Sequence, residues 1–304
     1  MGPASAPGGS RALCERPTSG YDPAVEGCPH ETIDDAVRRA LREDVGGGDL
    51  SAALVPEGLC SVAHLVSREP AVLCGTRWFD HVFQTLDAGV CVEWRARDGD
   101  EIEARQALCR LSGPTRALLT GERTALNFLQ TLSGTATSTR RHARALEGTR
   151  TKLLDTRKTI PGLRAAQKYA VRCGGGHNHR LGLYDGILIK ENHISAAGSI
   201  GTAVAAARSL YPGTPIEVEV ETPAELEQAI AAGADIALLD DFSLTELREA
   251  VARNAGRVRL EASGGYDLST LREAALTGVD YISVGALSKH VRAIDLSLRF
   301  ASEG

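Results

Sequence analysis

The 304-residue chain has no apolar run approaching the ~18 residues that a membrane span needs, and no secretory apolar core near its start. A cytoplasmic protein with no membrane partner is expected. Its cysteines are seven, Cys14, Cys28, Cys60, Cys74, Cys91, Cys109 and Cys173, and no two stand at Cys-x-x-Cys spacing. An odd set without short spacings fits reduced thiols better than a disulfide framework or a zinc site. Nor is there an excess of positive charge: the formal net charge of -5 argues against nonspecific nucleic-acid binding, so any basic site must be local. No Ser-His-Asp or Cys-His grouping stands out, and no covalent nucleophile is expected, Cys173 beside a glycine triplet included.

What is present is ordinary for a globular protein, with 43% hydrophobic and 24% charged residues and length enough for one large domain or two unequal ones. Residues 1–29, rich in Gly, Pro, Ala and Ser, read as a disordered arm. A helix is expected over Thr32 to Arg42, ended by Gly46-Gly47-Gly48. Short strands follow at Val62–Val66, Ala71–Cys74, Val90–Ala96 and Ala107–Leu111, interrupted by a helix over Thr76–Leu86. One helix starts at Pro114 and a second runs to about Leu146. Together, residues 30–150 read as a small α+β domain with connecting helices.

From residue 151 to 304 the rhythm changes to strand, loop and helix. Strands are expected at Lys152–Asp155, Ile187–Lys190, Ile216–Val220, Ile236–Leu239, Val258–Ala262 and Tyr281–Val284, with helices at 200–209, 223–232, 244–254 and 268–276. Such alternation implies a parallel sheet, open or closed. Every strand ends in a polar or glycine-bearing cluster, which favours an incomplete (β/α) barrel of about six parallel strands, because a barrel gathers those ends into one site. An open doubly wound sheet would spread them along a ridge.

The stretch from Leu154 to Ile194 carries the densest chemistry. Strand ends deliver Asp155, Arg157, Lys158 and Lys190, and the triplet Gly174-Gly175-Gly176 precedes His179 and Arg180. Cations on strand ends and loops fit a multiply anionic ligand, and the glycines are expected to let backbone amides approach it. Acidic strand ends at Glu219 and Asp240 fit ribose hydroxyls or a divalent metal, and two late glycine-bearing loops fit phosphate. His177 and His179 lack a third soft ligand, which disfavours zinc, and His193 reads as a supporting residue.

The words Thr156-Arg-Lys-Thr-Ile-Pro-Gly-Leu-Arg164, Lys168-Tyr-Ala-Val171, Gly174-Gly-Gly176, His179-Arg180, Leu188-Ile-Lys190 and Asn192-His193 resemble the signature of the quinolinate phosphoribosyltransferase family, also called nicotinate-nucleotide pyrophosphorylase (carboxylating). The resemblance covers about residues 31 to 300. It implies transfer from phosphoribosyl pyrophosphate to quinolinate, with decarboxylation, to give nicotinate mononucleotide, pyrophosphate and carbon dioxide on the de novo route to NAD. By matching position, Arg123, Arg157, His179 and Arg180 would hold the two carboxylates, with Thr156 in the same loop. Lys158 and Lys190 would lie between carboxylates and pyrophosphate, and Glu219 and Asp240 would take ribose hydroxyls and Mg²⁺. Ser263-Gly264-Gly265 and Val284-Gly285-Ala286 would bind phosphate. Lys158, Lys190, Glu219 and Asp240 are thus the expected catalytic residues. The resemblance also implies a homodimer in which Arg123 serves the partner's site; read alone, Arg123 is an exposed helix arginine beside Glu122.

Glu191, Asp241, Tyr184 and Ser288-Lys289 depart from the family pattern. A relative acting on another pyridine or aromatic acid remains an alternative, as does a non-catalytic anion binder. Retention of the polar strand ends speaks against the binder.

Overall fold

The computed structural model describes residues 30–301, so the expected arm over 1–29 lies outside the described residues. The chain runs α1 (His30–Val45), β1 (Cys60–Ser67), β2 (Ala71–Val72), α2 (Thr76–Leu86), β3 (Cys91–Trp94), β4 (Glu101–Ile102), β5 (Ala107–Pro114) and α3 (Thr115–Ala145). It continues β6 (Lys152–Leu154), α4 (Arg164–Cys173), β7 (Ile187–Ile189), α5 (Glu191–Ala197), α6 (Ile200–Leu210), β8 (Ile216–Val220), α7 (Pro223–Ala232) and β9 (Ile236–Asp240). Last come α8 (Leu244–Asn254), β10 (Arg259–Ser263), α9 (Leu271–Ala275), β11 (Tyr281–Ser283), α10 (Ala286–Lys289) and β12 (Leu296–Phe300).

An antiparallel sheet of order β12-β1-β5-β3, with the small β2-β4 pair, packs its apolar face on α1, α2 and α3. Trp78, Phe79 and Phe83 fill that core together with Leu65, Leu111, Leu118 and Leu129. Its outer strand, β12, follows the barrel strands in sequence, yet it pairs with β1 in the register Leu298↔Leu65. The last strand therefore belongs to the first sheet and not to the barrel-like unit in which the sequence reading places residues 151–304. Only long-range pairing decides this, and a five-residue strand carries no signal of its partner.

The second correction concerns α3, a single helix of 31 residues where two were expected. Glycine usually weakens a helix interior, but here close packing requires it. A Cβ on Gly134 would lie 2.3 Å from the Arg292 carbonyl oxygen, and one on Gly121 would lie 2.7 Å from the Phe83 ring. The glycines admit neighbours to the helix; they do not break it.

The parallel sheet has the order β6-β11-β10-β9-β8-β7. Five strands follow one another around it in chain order, and β6 rejoins beside β11, which is barrel winding with no reversal of strand order. β6 and β7 are its two edges, so hydrogen bonds do not close it; the bridge Leu154↔His177 sets the segment after α4 beside β6. The expected incomplete barrel of six parallel strands is what the chain forms. Capping boxes start α7 (Thr222 with Glu225) and α8 (Ser243 with Glu246), satisfying amides that would otherwise lack partners.

Candidate active site

Strand alternation decides which side chains enter the barrel. In β8, Ile216, Val218 and Val220 lie in the core between sheet and helices, so Glu217 and Glu219 face the other way. In β9 and β10, Ala237, Leu239, Leu260 and Ala262 belong to that core, leaving Asp240, Glu261 and Ser263 on the inner face. Asp240 and Ser263 are register partners at the C-terminal ends of their strands. Lys190, directly after β7, contacts the Glu219 carboxylate through Nζ. Its amide N–H donates to His193 Nδ1 at 3.1 Å, which gives His193 its supporting role.

The glycine-bearing loop after β11 meets the basic loop after β6. Lys158 Cδ lies 2.9 Å from where a Cβ on Gly285 would stand, so the lysine stem can cross only glycine there. The Lys158 amide donates to Thr156 Oγ1 at 3.1 Å, and buried Ser288 donates its hydroxyl to the Lys158 carbonyl at 3.0 Å. Gly264, at φ +129°, is held against Asp241, whose amide donates to the Ser263 carbonyl at 3.0 Å. Asp241 itself takes a φ of 55°, a region where asparagine and aspartate are tolerated. Asp240 and Asp241 both raise the neighbouring Tyr266 phenol, after burial, which acts most strongly.

The loop carrying His179 and Arg180 hangs on a pair to which the sequence reading gives no role. Asp155 and Lys168 are buried in contact at 2.6 Å, with side-chain exposures of 0% and 2%. Asp155 also accepts from Asn178 Nδ2 at 2.6 Å and from the His179 amide at 2.9 Å, while Lys168 donates to the His179 carbonyl at 2.9 Å. Burial pushes the Asp155 carboxyl up and the Lys168 amine down, and their mutual contact opposes both shifts. A lysine among Ala166, Tyr169 and Ala170 on the buried face of α4 is the signal that could have revealed the pair.

The glycine triplet does something other than expected. The amides of Gly174, Gly175 and Gly176 are spent on the carbonyls of Ala170, Arg172 and Val171, ending α4. A Cβ on Gly174 would lie 2.5 Å from the Ala136 carbonyl oxygen, and one on Gly176 would lie 2.8 Å from Thr139. The triplet packs the turn on α3 and offers no amide to an anion. By contrast, the amides of Gly264 and Gly265 donate to no acceptor among the described residues.

Arg157 and Arg180 lie close enough that Arg157 lowers the Arg180 guanidinium, after burial, which is the larger effect; Glu217 and Asp185 oppose it. Arg180 donates to the Gly186 carbonyl at 3.1 Å, and Asp185 binds the loop by accepting from the Leu181 and Gly182 amides. Arg157 Nε is buried with no acceptor. An orphaned guanidinium donor beside a second arginine is a site prepared for an anion. Both nitrogens of His179 are engaged: Nδ1 accepts from the Arg180 amide at 2.7 Å, and Nε2 meets Glu217 at 2.8 Å. Burial lowers this imidazole, but the Glu217 hydrogen bond and the Glu261 charge outweigh burial and raise it.

Arg123 stands apart from this cluster. It is exposed on α3, where its neighbours Thr120 and Thr124 hydrogen-bond Asp49 and Asp44, and no contact among the described residues joins it to the barrel mouth. Tyr184 projects into solvent from the loop after Arg180 at 82% exposure. At the opposite end of the barrel is a concavity of about 640 Å³ with Arg150, Asp235, Arg257 and Asp280 in its lining. Its charged groups are already spoken for, Arg150 by Asp280, Arg257 by Glu227 and Asp235 by Arg208. Barrel sites lie at the C-terminal strand ends, where the unpaired donors are.

Comparison with known proteins agrees with that placement of the fold. Residues 49–133 match the family model "Quinolinate phosphoribosyl transferase, N-terminal domain", and residues 135–299 match "Quinolinate phosphoribosyl transferase, C-terminal domain". The nicotinate-nucleotide pyrophosphorylase (carboxylating) of Mycobacterium leprae is 43% identical over 89% of this chain and 98% of its own. A probable enzyme of the same name from Bacillus subtilis (strain 168) is 44% identical over 84% of this chain and 89% of its own. The solved nicotinate-nucleotide pyrophosphorylase of Francisella tularensis superposes with a TM-score of 0.88 at 48% identity, covering 90% of this chain and 97% of that one. Among the described residues, no helix is long and apolar enough to cross a membrane. With both family models matched in order and relatives covered almost end to end, the chain belongs to the quinolinate phosphoribosyltransferase family.

Proposed function

We propose that the protein is a quinolinate phosphoribosyltransferase (decarboxylating), a cytoplasmic enzyme of de novo NAD biosynthesis. The observation that carries this reading is the Arg157–Arg180 pair with its orphaned Arg157 Nε, set beside the carboxylates Glu219 and Asp240 at one barrel mouth. A dicarboxylate fits the arginines; a sugar bearing phosphates fits the lysines, the acidic pair and the free Gly264 and Gly265 amides.

In this reading Arg157 and Arg180 fix the pyridine dicarboxylate, and Thr156 orders their loop through the Lys158 amide. The ring nitrogen attacks the anomeric carbon of phosphoribosyl pyrophosphate as the bond to the pyrophosphate oxygen breaks. Lys158, from the β6 loop, and Lys190, from the end of β7, approach the leaving group from two sides and neutralise its growing charge. Glu219 steadies the positive sugar. The ring, now cationic, accepts the electron pair released when its C2 carboxylate departs as carbon dioxide, and C2 takes up a proton.

Glu219 and Asp240 offer only oxygen donors, which suits Mg²⁺, an ion that takes one or two carboxylates and completes its shell with water and phosphate. Bound there, Mg²⁺ would add positive charge at the pyrophosphate. Chelation with EDTA is expected to abolish turnover, and Mn²⁺ to restore it. Undiminished turnover after thorough EDTA treatment would assign the acidic pair to ribose hydroxyls alone.

The working unit in this reading is a homodimer with Arg123 acting in trans. Among the described residues no ion pair holds Arg123; its charge only opposes the rise that burial gives the adjoining Glu122 carboxyl. Two apolar patches accompany the two halves of the reading. Leu50 and Leu54, 88% and 86% exposed, flank the Asp49 loop tied to α3, and Leu183 and Tyr184 stand exposed on the loop after Arg180. Exposed apolar patches of this kind are usual where two surfaces meet.

The functional reading is tested by a substrate panel. Purified protein is given phosphoribosyl pyrophosphate with quinolinate, nicotinate or benzoate, and mononucleotide and carbon dioxide are followed. Release of both products with quinolinate is expected; product from nicotinate and none from quinolinate would overturn the assignment.

A further inference from the structure

Two carboxyl groups in the barrel interior have no part in the reaction as described. Glu217 and Glu261 are 4% and 1% exposed, on the inner faces of β8 and β10. Glu217 Oε1 and both oxygens of Glu261 are buried with no hydrogen-bond partner among the described residues. Isolated buried carboxylates are costly, and two of them side by side more so, unless a proton or a cation lies between. Glu217 Oε2 is also 2.8 Å from His179 Nε2, and Glu261 Oε2 is 3.6 Å from the same nitrogen.

The direction of each hydrogen bond can be worked out from one end. The Arg180 backbone N–H can only donate, and it points at His179 Nδ1 from 2.7 Å, so Nδ1 holds a lone pair there. The ring then carries its proton on Nε2 and donates it to Glu217. Burial first, and then the Glu217 charge, push the Glu261 carboxyl up to about 8, which eases the pairing of two buried acids.

We propose that Glu217 and His179, backed by the buried Glu261, form a hydrogen-bonded relay that positions Arg180 for the substrate carboxylate. Glu217 accepts from His179 Nε2, His179 Nδ1 accepts from the Arg180 amide, and Glu261 lies beside them with Oε2 3.6 Å from Nε2. His179 is then a positioning residue whose two nitrogens are both engaged within the chain; it meets the dicarboxylate through Arg180. The specificity-setting element is thus an imidazole held in one orientation by the Arg180 amide at Nδ1 and Glu217 at Nε2. The three donors also lie within 4.8 Å of one another, as a bound cation would need. A cation, however, would take the Nε2 lone pair and force the proton to Nδ1, against the Arg180 amide.

The relay rests on the functional reading above for its substrate, so its first test does not use activity. Proton–nitrogen NMR of histidine-labelled protein, with the His179 signals assigned by His179→Gln, is expected to show an unprotonated Nδ1 and a protonated Nε2. A protonated Nδ1, with or without added Mg²⁺ or Zn²⁺, overturns the relay. The second test is kinetic. Glu217→Met removes the acceptor at nearly constant volume, a kind of change that buried sites often tolerate. The KM for quinolinate is expected to rise about tenfold, because a buried donor is left unmet, while the KM for phosphoribosyl pyrophosphate stays within about twofold. Glu261→Gln keeps the shape of the side chain without its charge and is expected to leave both KM values within about twofold. Equal rises in both KM values, or no rise for quinolinate in Glu217→Met, overturn the relay. So does a tenfold loss in Glu261→Gln, which also serves if Glu217→Met does not fold. A wild-type protein that turns over no quinolinate counts against the functional reading and leaves the NMR test standing.

Discussion

Lys190→Ala is expected to lower kcat by about a hundred- to a thousandfold, the loss of ~2.7–4 kcal/mol that follows removal of one preorganised donor to a developing anion. The residue sits where backbone and side chain are both constrained. Its amide is held by His193 Nδ1, and its Nζ rests on Glu219, so the ammonium occupies one place at the end of β7. Pyrophosphate gathers charge as the sugar bond breaks, and a fixed cation favours that charge more than the ground state. Alanine also leaves the Glu219 carboxylate without its cation, so the partner meant to steady the sugar loses its place. The two losses are coupled: the double variant with Glu219→Gln should fall by less than the product of the single effects. Stability should change little, because Lys190 is 48% exposed and the pair is a poor anchor in water. Single-turnover rates with thermal melting as a control decide the matter. A folded Lys190→Ala variant keeping more than a tenth of the parental kcat would remove Lys190 from the mechanism.

Much of that mouth was legible because a parallel strand writes its faces into the sequence. Ile-Glu-Val-Glu-Val places both glutamates of β8 on one side, and the end of a strand is also the rim of the barrel. Lys190, Glu219, Asp240 and Ser263 could therefore be assigned to one mouth before any coordinates. What escaped depended on a partner far away in the chain. Gly174 and Gly134 announce a close approach, but nothing in the sequence says that the visitors are α3 and the Arg292 backbone. Lys168 stands on the apolar face of α4, but nothing in the sequence says that Asp155 is the group opposite it in the interior. Glu217 reads as a sheet glutamate like Glu219, and only its depth and the nearness of Glu261 separate their uses. β12 was missed for the same reason, since its pairing with β1 spans almost the whole described chain.

Mixing two inactive variants, Arg123→Ala and Lys190→Ala, under subunit exchange is expected to restore activity from near zero to roughly a quarter of the parental level, with random pairing and independent sites. The expectation starts from the separation of the two residues. Lys190 lies at the barrel mouth on Glu219, whereas Arg123 lies on α3 among residues bonded to the 44–49 segment. At 1.5 Å per residue, Arg123 is ~16 Å along α3 from Gly134, where the helix meets the segment leading into β12. A guanidinium so placed serves a barrel mouth most simply if that mouth belongs to another copy. In a mixed dimer one site then collects both substitutions and the other collects neither. About half of randomly exchanged dimers are mixed, each with one intact site of two, which gives the quarter. If Arg123 instead acts within its own chain, every site of the mixed dimer keeps one defect and activity stays at the level of the single variants. A tagged subunit confirms exchange, and each variant alone supplies the baseline. Exchange without recovery would falsify the trans assignment and return Arg123 to an ordinary surface position on α3.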